Sequence, residues 1–432
     1  MKKFFITMIA LLIFSSVAVT NPTQAASDWK YVDAGTKLMN QGKCTEAIGQ
    51  FKKATNISAK ASTYRSMATC YEKLSQYQSA ADTLYLEAAL HKKMGQTNTY
   101  LATLDKANKL NSEVETYVEV AKSETKALAK YEPASGVYIG AYIEQDAISK
   151  QAGNRFKNFN STLGKQHAMY YNYHNYGTAF PKQTAELLKE AGAAFQISLE
   201  PNQGLAEVKD DAYLRQFARD AKASNIPIFL RFASEMNGDW VKWAGNTDLY
   251  KQKFQLVAKV MKEEAPNVAM VWVPNSVPSH NIDAYYPGDA AVDWVGMNLY
   301  SVPFANGDKS QPADTVNPLD YLDVVYDKYS SRKPMMIAEF AASHFSAADG
   351  KDKTAFNQAK MHLFYEGVKM KYPRVKSINW FSVDTLTATW VNPSRRLNNF
   401  SLTVNSTVKS TYASIIKDPY YLSSVVNGPC CE

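Results

Sequence analysis

Two acidic motifs carry the chemistry that can be read from this chain. One is Arg231-Phe232-Ala233-Ser234-Glu235-Met236-Asn237-Gly238-Asp239-Trp240-Val241-Lys242-Trp243, and the other is Ile337-Ala338-Glu339-Phe340. Each sets a glutamate at the end of a short apolar run. Two carboxyls facing one cavity suit cleavage of a glycosidic bond. One delivers a proton to the leaving oxygen while the other attacks the anomeric carbon and holds the sugar covalently; a separation of about 5 Å marks that retaining route, and a wider gap with room for water marks the inverting one. The proton donor of such a pair has to be held protonated by apolar surroundings and a negative neighbour. Trp240 and Trp243, three apart just after the first glutamate, present indole faces of the kind that stack on pyranose rings. The six histidines lack the paired spacing that zinc needs and no oxygen-rich calcium loop stands out, so no metal and no cofactor are expected.

The elements that must position these groups begin after Glu132-Pro133-Ala134-Ser135-Gly136, a cluster of helix breakers. Eight β-rich runs follow, at 136–143, 168–173, 194–199, 227–233, 268–273, 294–299, 334–340 and 377–383. Helical stretches lie between most of them, at 181–190, 212–223, 249–264, 318–329 and 354–371. Near-continuous apolar strands alternating with amphipathic helices imply a parallel sheet covered on its outer face. Eight such units predict an α/β fold, a (β/α)8 TIM barrel, over residues 132–415, and no Gly-rich phosphate loop after the first strand argues for an open doubly wound sheet. In a barrel the strand C-termini carry the active site, so Glu235 after strand four and Glu339 after strand seven would face each other.

The pattern Arg-Phe-x-x-Glu-Met-Asn-Gly-x-Trp-x-x-Trp, with Ala-Glu-Phe at strand seven and Trp272-Val273-Pro274-Asn275 after strand five, resembles glycoside hydrolase family 26, of β-mannanases and mixed-linkage β-glucanases. The likeness runs from about Gly136 to Tyr412. It implies that Glu235 is the acid/base and Glu339 the nucleophile of a retaining endo-β-glycosidase. The family normally has a histidine where this chain has Ser234, which puts mannose in doubt as the sugar beside the cleaved bond. Tyr300 at the end of strand six is expected to donate its hydroxyl to Glu339. Arg231 is expected either to fork onto a carboxylate or to form a structural ion pair. Trp380 is expected as a platform beneath the reactive ring, with Trp240, Trp243 and Trp272 lining neighbouring subsites. Ser234, Asn237, His174 and Asn275 complete the expected substrate contacts, with Asp384 a further polar candidate; His280 and His344 are weaker ones.

Residues 26–131 read differently. Gly35-x2-Leu38-x3-Gly42-x-Cys44-x2-Ala47-x3-Phe51-x2-Ala54 is echoed 33 residues later by Ala68-x2-Tyr71-x3-Ser75-x-Tyr77-x2-Ala80-x3-Leu84. This resembles the tetratricopeptide repeat, in which small residues let paired helices approach and large ones fill between them. An all-α helical repeat domain is therefore expected ahead of the barrel, either as a docking platform for a protein or polymer or as a packing module.

Residues 1–25 have the form of a secretory signal: Lys2 and Lys3, an apolar run from Phe4 to Val19, then Thr23-Gln24-Ala25. A secreted or cell-envelope protein of bacterial type is expected, with no membrane span once the signal is removed. A short tail closes the chain at 416–432. Four cysteines make no disulfide framework; Cys44 and Cys70 could pair, and Cys430-Cys431 is a vicinal pair at the end. The formal net charge of +7 is spread out, and no Lys/Arg block of the nucleic-acid-binding kind occurs. The expected partner is a polysaccharide, consistent with 27 Tyr, 19 Phe and 7 Trp, with a protein partner on the repeats. Two functions follow: hydrolysis of mannan, β-glucan or an exopolysaccharide, or a catalytically degenerate barrel that binds glycan while the repeats recruit partners.

Overall fold

The computed structural model describes residues 23–111 and 127–426, with side chains from Asp28 onward. The signal expected at 1–25 lies almost wholly outside the described residues, and Cys430 and Cys431 lie outside them too. No described helix is long and apolar enough to cross a membrane. The described chain divides into two compact units, one running to Met94 and resuming over residues 102–111, the other taking Gly95–Leu101 and everything from residue 127.

The first unit is all helical: α1 (Thr23–Asn40), α2 (Cys44–Ile57), α3 (Ala61–Lys73), α4 (Tyr77–Lys93) and part of α5 (Thr97–Leu110). Helices α1 and α2 pack together, as do α3 and α4. The small/large spacing accounts for this. Gly35 lies so close to the Phe51 ring that a Cβ there would sit 2.6 Å from it. Ala47, Phe51, Ala68 and Ala80 are fully buried. Cys44 and Cys70 are both buried, and both are free thiols rather than a disulfide.

The second unit is the expected (β/α)8 barrel. Its strands are β1 (Val137–Tyr142), β2 (Met169–Asn175), β3 (Ala194–Glu200), β4 (Ile228–Phe232), β5 (Val268–Trp272), β6 (Trp294–Ser301), β7 (Met335–Ala342) and β8 (Val375–Phe381). Each pairs in parallel with the next, and β8 returns to β1 through Tyr138↔Ser377 to Tyr142↔Phe381. The covering helices are α6 (Arg155–Leu163), α7 (Lys182–Glu190), α8 (Ala212–Ala223), α9 (Thr247–Glu264), α10 (Pro318–Tyr329), α11 (Thr354–Lys371) and α12 (Ser406–Ile416). Asn154, Asp211, Asn246, Asn317 and Asn405 each cap the helix that follows, accepting backbone N–H bonds that would otherwise be orphaned. Between β5 and β6 a single 3-10 turn, Ile282–Tyr285, replaces a helix.

Inside the barrel the first inward residues of the strands, among them Tyr138, Met169, Phe229, Val271, Trp294 and Met336, form a dry floor. Tyr131 packs into this floor with its ring 5.6 Å from Phe229. The Lys130 ammonium donates to Val268 O at 2.8 Å, and Trp294 Nε1 donates to Lys130 O at 2.8 Å. These two residues, placed by the sequence at the end of the helical region, thus pack with the barrel. The segment set apart as a tail also joins it, because Tyr421–Leu422 pairs in parallel with β1.

Gly140 on β1 faces the interior, where a Cβ would lie 2.0 Å from Asn379 Oδ1 and 2.7 Å from Met169. Both neighbours are fully buried. Gly140→Ala is therefore expected to destabilise the barrel by about 1–3 kcal/mol, the usual cost of overpacking a close-packed core. Urea unfolding followed by tryptophan fluorescence measures this.

Candidate active site

Glu339 owes its position to an irregularity in β7. Ala338 points into the barrel floor and Phe340 points outward, its ring stacked 3.7 Å from Phe364 of α11. Counted from Ala338, simple alternation would turn Glu339 outward and Phe340 inward. The ladder slips at this point instead: Met297 pairs with Ile337 and Asn298 with Glu339, and on the other side Ile378 pairs with Ile337 and Trp380 with Phe340. The bulge re-aims the carboxyl into the barrel, a use of bulges common beside active sites. There Glu339 is almost completely buried. Its Oε1 accepts from Arg231 Nη2 at 2.8 Å and from the Tyr173 hydroxyl at 2.7 Å, and its Oε2 accepts from the Tyr300 hydroxyl. Burial first, and then the Glu339 charge, push the phenols of Tyr171, Tyr173 and Tyr300 well above their ordinary range. They stay protonated and serve as donors.

Glu235 is positioned by strain in the chain just after β4. Ala233 (φ 49°) and Glu235 (φ 60°) both adopt left-handed backbone, each at a typical cost of about 1–3 kcal/mol for a non-glycine residue. The surroundings over-determine the turn. Ala233 N–H donates to Leu199 O at 3.0 Å, and Glu235 N–H donates to Val273 O at 2.8 Å. Trp243 Nε1 donates to Ser234 O at 2.7 Å. Asn237 Nδ2 donates to Asn275 O and Pro278 O at 2.9 and 2.7 Å, while its Oδ1 accepts from Asn275 N–H at 2.8 Å. The Glu235 carboxyl accepts three bonds, from Asn298 Nδ2 (2.7 Å), Asn275 Nδ2 (3.0 Å) and Trp240 Nε1 (2.9 Å). Gly238 makes the last contact feasible, since a Cβ there would lie 2.4 Å from the Trp240 ring.

Asn298 joins the two halves of the site. It pairs with Glu339 across the β6–β7 ladder while its side chain bonds Glu235, so one residue ties the two glutamates together at the strand C-termini.

The other expected site residues divide by strand phase. Trp272 and Trp380 are fully buried on the outer side of their strands and line no sugar subsite. Trp272 packs edge-on against Tyr286 and Tyr329, whereas Trp380 packs against Phe340 and Tyr412 and donates from Nε1 to Phe400 O at 2.9 Å. Phe381, one residue on, is the β8 side chain that turns inward, stacked on Tyr142 and edge-on to Tyr300. Trp243 is 5% exposed and holds the turn rather than offering a face. Asn237 likewise braces the loop. Ser234 is buried, with Arg231 Nε 3.3 Å from its Oγ. His174 is tied to Thr178 at 2.9 Å and lies against Phe217. Arg231 forms the ion pair; Asn275, Tyr300 and Trp240 all contact a glutamate.

Sequence reasoning missed Tyr173 and Asn298, both named above, as well as Glu200. Asn298 lies two residues before Tyr300 on the same face of β6, so alternation alone would have found it. Trp390, 51% exposed with its ring 6.4 Å from Tyr173, was also missed because it follows β8 in an irregular loop.

Fold and site together define a (β/α)8 barrel with two glutamates near its strand C-termini. Residues 187–317, within the barrel, match the model for "Glycosyl hydrolase family 26", and over that stretch the chain is similar to this family. The chain is 27% identical over 279 residues to Endoglucanase H of Acetivibrio thermocellus, covering 60% of this chain and 29% of that protein. It is 28% identical over 152 residues to the Beta-1,3-xylanase TXYA of a Vibrio species, covering 34% and 30%. With the Mannan endo-1,4-beta-mannosidase of Bacillus subtilis it shares 25% identity over 167 residues, covering 36% and 39%. The chain thus spans well under half the length of each of these relatives.

The division between wall and mouth is measurable. Trp380→Phe removes a buried hydrogen bond and packed ring area, and is expected to lower stability by about 1–3 kcal/mol. Trp240→Phe changes an exposed side chain and should stay within about 0.5 kcal/mol of the native protein. Parallel urea titrations of the two variants check this.

Proposed function

We propose that this protein is an exported, retaining endo-β-glycanase in which Glu339 attacks the anomeric carbon and Glu235 first protonates the leaving oxygen and then activates water. The observation that carries the reading is Asn298, paired with Glu339 on the adjacent strand and bonded through its side chain to Glu235. This juxtaposition suits direct displacement with the two groups on opposite sides of one bond. The roles follow from the surroundings. Glu339 is held rigid by a buried guanidinium and two phenols, as a nucleophile needs to be for in-line attack. Glu235 sits nearer solvent at the mouth with Trp240 over it, where a leaving sugar and an incoming water can both reach it.

The relatives' names span a glucanase, a xylanase and a mannosidase. The substrate class proposed is accordingly a β-linked polysaccharide, with Trp240 and Trp390 as exposed stacking faces. The helical unit is read as tetratricopeptide-like and as the place where a protein partner docks. The second reading, a barrel that binds glycan without cutting it, draws on Ser234, which stands where the family normally has a histidine.

One experiment separates the two. The native protein is incubated with mannan, 1,3-xylan and mixed-linkage glucan while reducing ends and the anomeric proton of the first product are followed by NMR. Product of retained configuration supports the proposal; inverted product, or binding without any product, removes it. Glu235→Gln and Glu339→Gln are each expected to lower turnover by at least about 10²–10⁴-fold while the circular dichroism spectrum stays native. Full activity in either variant would overturn the assignment.

A further inference from the structure

The mouth of the barrel holds a third carboxyl, which the double-displacement chemistry does not use. Glu200 is the last residue of β3, and its backbone is fixed: Glu200 O accepts from Tyr176 N–H at 2.8 Å and from Asn202 N–H at 2.9 Å. Ser198 on the same strand face donates from Oγ to Glu200 Oε1 at 3.3 Å, a long bond. No ion pair to Glu200 is formed among the described residues, although Arg231 lies close enough to act on it electrostatically. The side chain is partly exposed, so a bound sugar can reach it. It lies on the strand face of Ser198, whose ladder partner is Arg231, and the Glu339 and Glu235 charges both act on it.

We propose that Glu200 is a substrate ligand that sets specificity: its carboxyl forms a hydrogen bond with a hydroxyl of the sugar ring lying against Glu339. This rests on the glycosidase reading and deepens it.

Geometry and charge agree. A carboxyl with one weak internal partner, at the end of a barrel strand, has bonding capacity directed toward the pocket. Burial pushes its pKa up to about 7; Arg231 pulls it down, while Glu339 and Glu235 push it up. Those three charges and the Ser198 hydroxyl are the groups acting on it from β3, β4, β7 and the turn after β4. A carboxyl held neutral can donate where an anion can only accept. Position also matters. Ser198 pairs with Arg231 in the β3–β4 ladder, so Glu200 stands beside the turn after β4 that carries Ser234 and Glu235.

The sign of the pH dependence follows. Below pH about 7 Glu200 carries its proton and the sugar receives its bond; above it the carboxylate offers only lone pairs and binding weakens, by up to tenfold per pH unit if the protonated form alone binds.

The test is titration calorimetry of the full chain with thio-linked, non-hydrolysable manno-, 1,3-xylo- and mixed-linkage gluco-oligosaccharides at pH 6, 7 and 8. The native protein is expected to lose affinity several-fold from pH 6 to pH 8 for whichever oligosaccharide binds. Glu200→Gln, a neutral donor of the same shape, should bind at all three pH values as the native protein does at pH 6, and Glu200→Ala should bind weakly and without pH dependence. Native binding that ignores pH, or the native slope persisting in Glu200→Gln, overturns the inference and leaves the glycosidase reading standing. A native protein that neither binds nor cleaves any of the three sugars removes both.

Discussion

A guanidinium and a carboxylate meet in the interior of the barrel, and much of the upper barrel is arranged around that meeting. Removing two such ions from water costs several kcal/mol each, and the cost is offset only when the geometry is good and the remaining valences are filled. Arg231 and Glu339 meet those terms through a 2.8 Å contact, two phenols on the carboxylate and the face of Tyr171 beneath the guanidinium. The pair fixes what its neighbours can be. The slip in β7 must occur where it does, or the carboxylate would turn into the helix layer. Tyr173 and Tyr300 must remain un-ionised, and their burial beside a negative charge ensures that they do.

The second carboxyl is held on opposite terms. Glu235 sits on a strained turn instead of a regular strand, and the strain is balanced by bonds that reach it from neighbouring loops: Trp243 onto the Ser234 carbonyl, and Asn237 onto the loop after β5. One wall of the pocket is thus rigid and ionic, while the other is a sprung loop whose partners are neutral amides and an indole.

The sequence made the architecture legible because a parallel barrel writes itself as alternating apolar runs and amphipathic helices, and all eight strands lie close to where those runs fall. The strand-end glutamates were legible because their motifs are dense in polar and aromatic types. What was not legible was phase. Trp272 and Trp380 carry the residue type that sugars favour, but each is one position away from the inward face, so both belong to the packing between sheet and helix. A bulge shifts that phase without any marker in the residue types around it; Ala338, Glu339 and Phe340 would be read in strict alternation by any periodicity argument. Tyr173 and Glu200 come from the neighbouring strands β2 and β3, and only closure of the barrel brings Asn298 of β6 to their side of the molecule. In the helical unit, by contrast, the glycine and alanine positions reported their own packing, since a small residue opposite a phenylalanine has one evident reason to be small.

One tyrosine on β1 has a consequence for chain connectivity. The Tyr138 hydroxyl donates to Tyr131 O at 2.9 Å and accepts from Val426 N–H at 3.1 Å, so Tyr131 and Val426, which flank the eight strands in sequence, are latched to the same oxygen atom beneath the floor. A few linking residues would bridge that gap, and the ring could be reopened at an exposed loop elsewhere. The barrel therefore meets the geometric condition for circular permutation, with the new ends placed at will and the eight-stranded order kept.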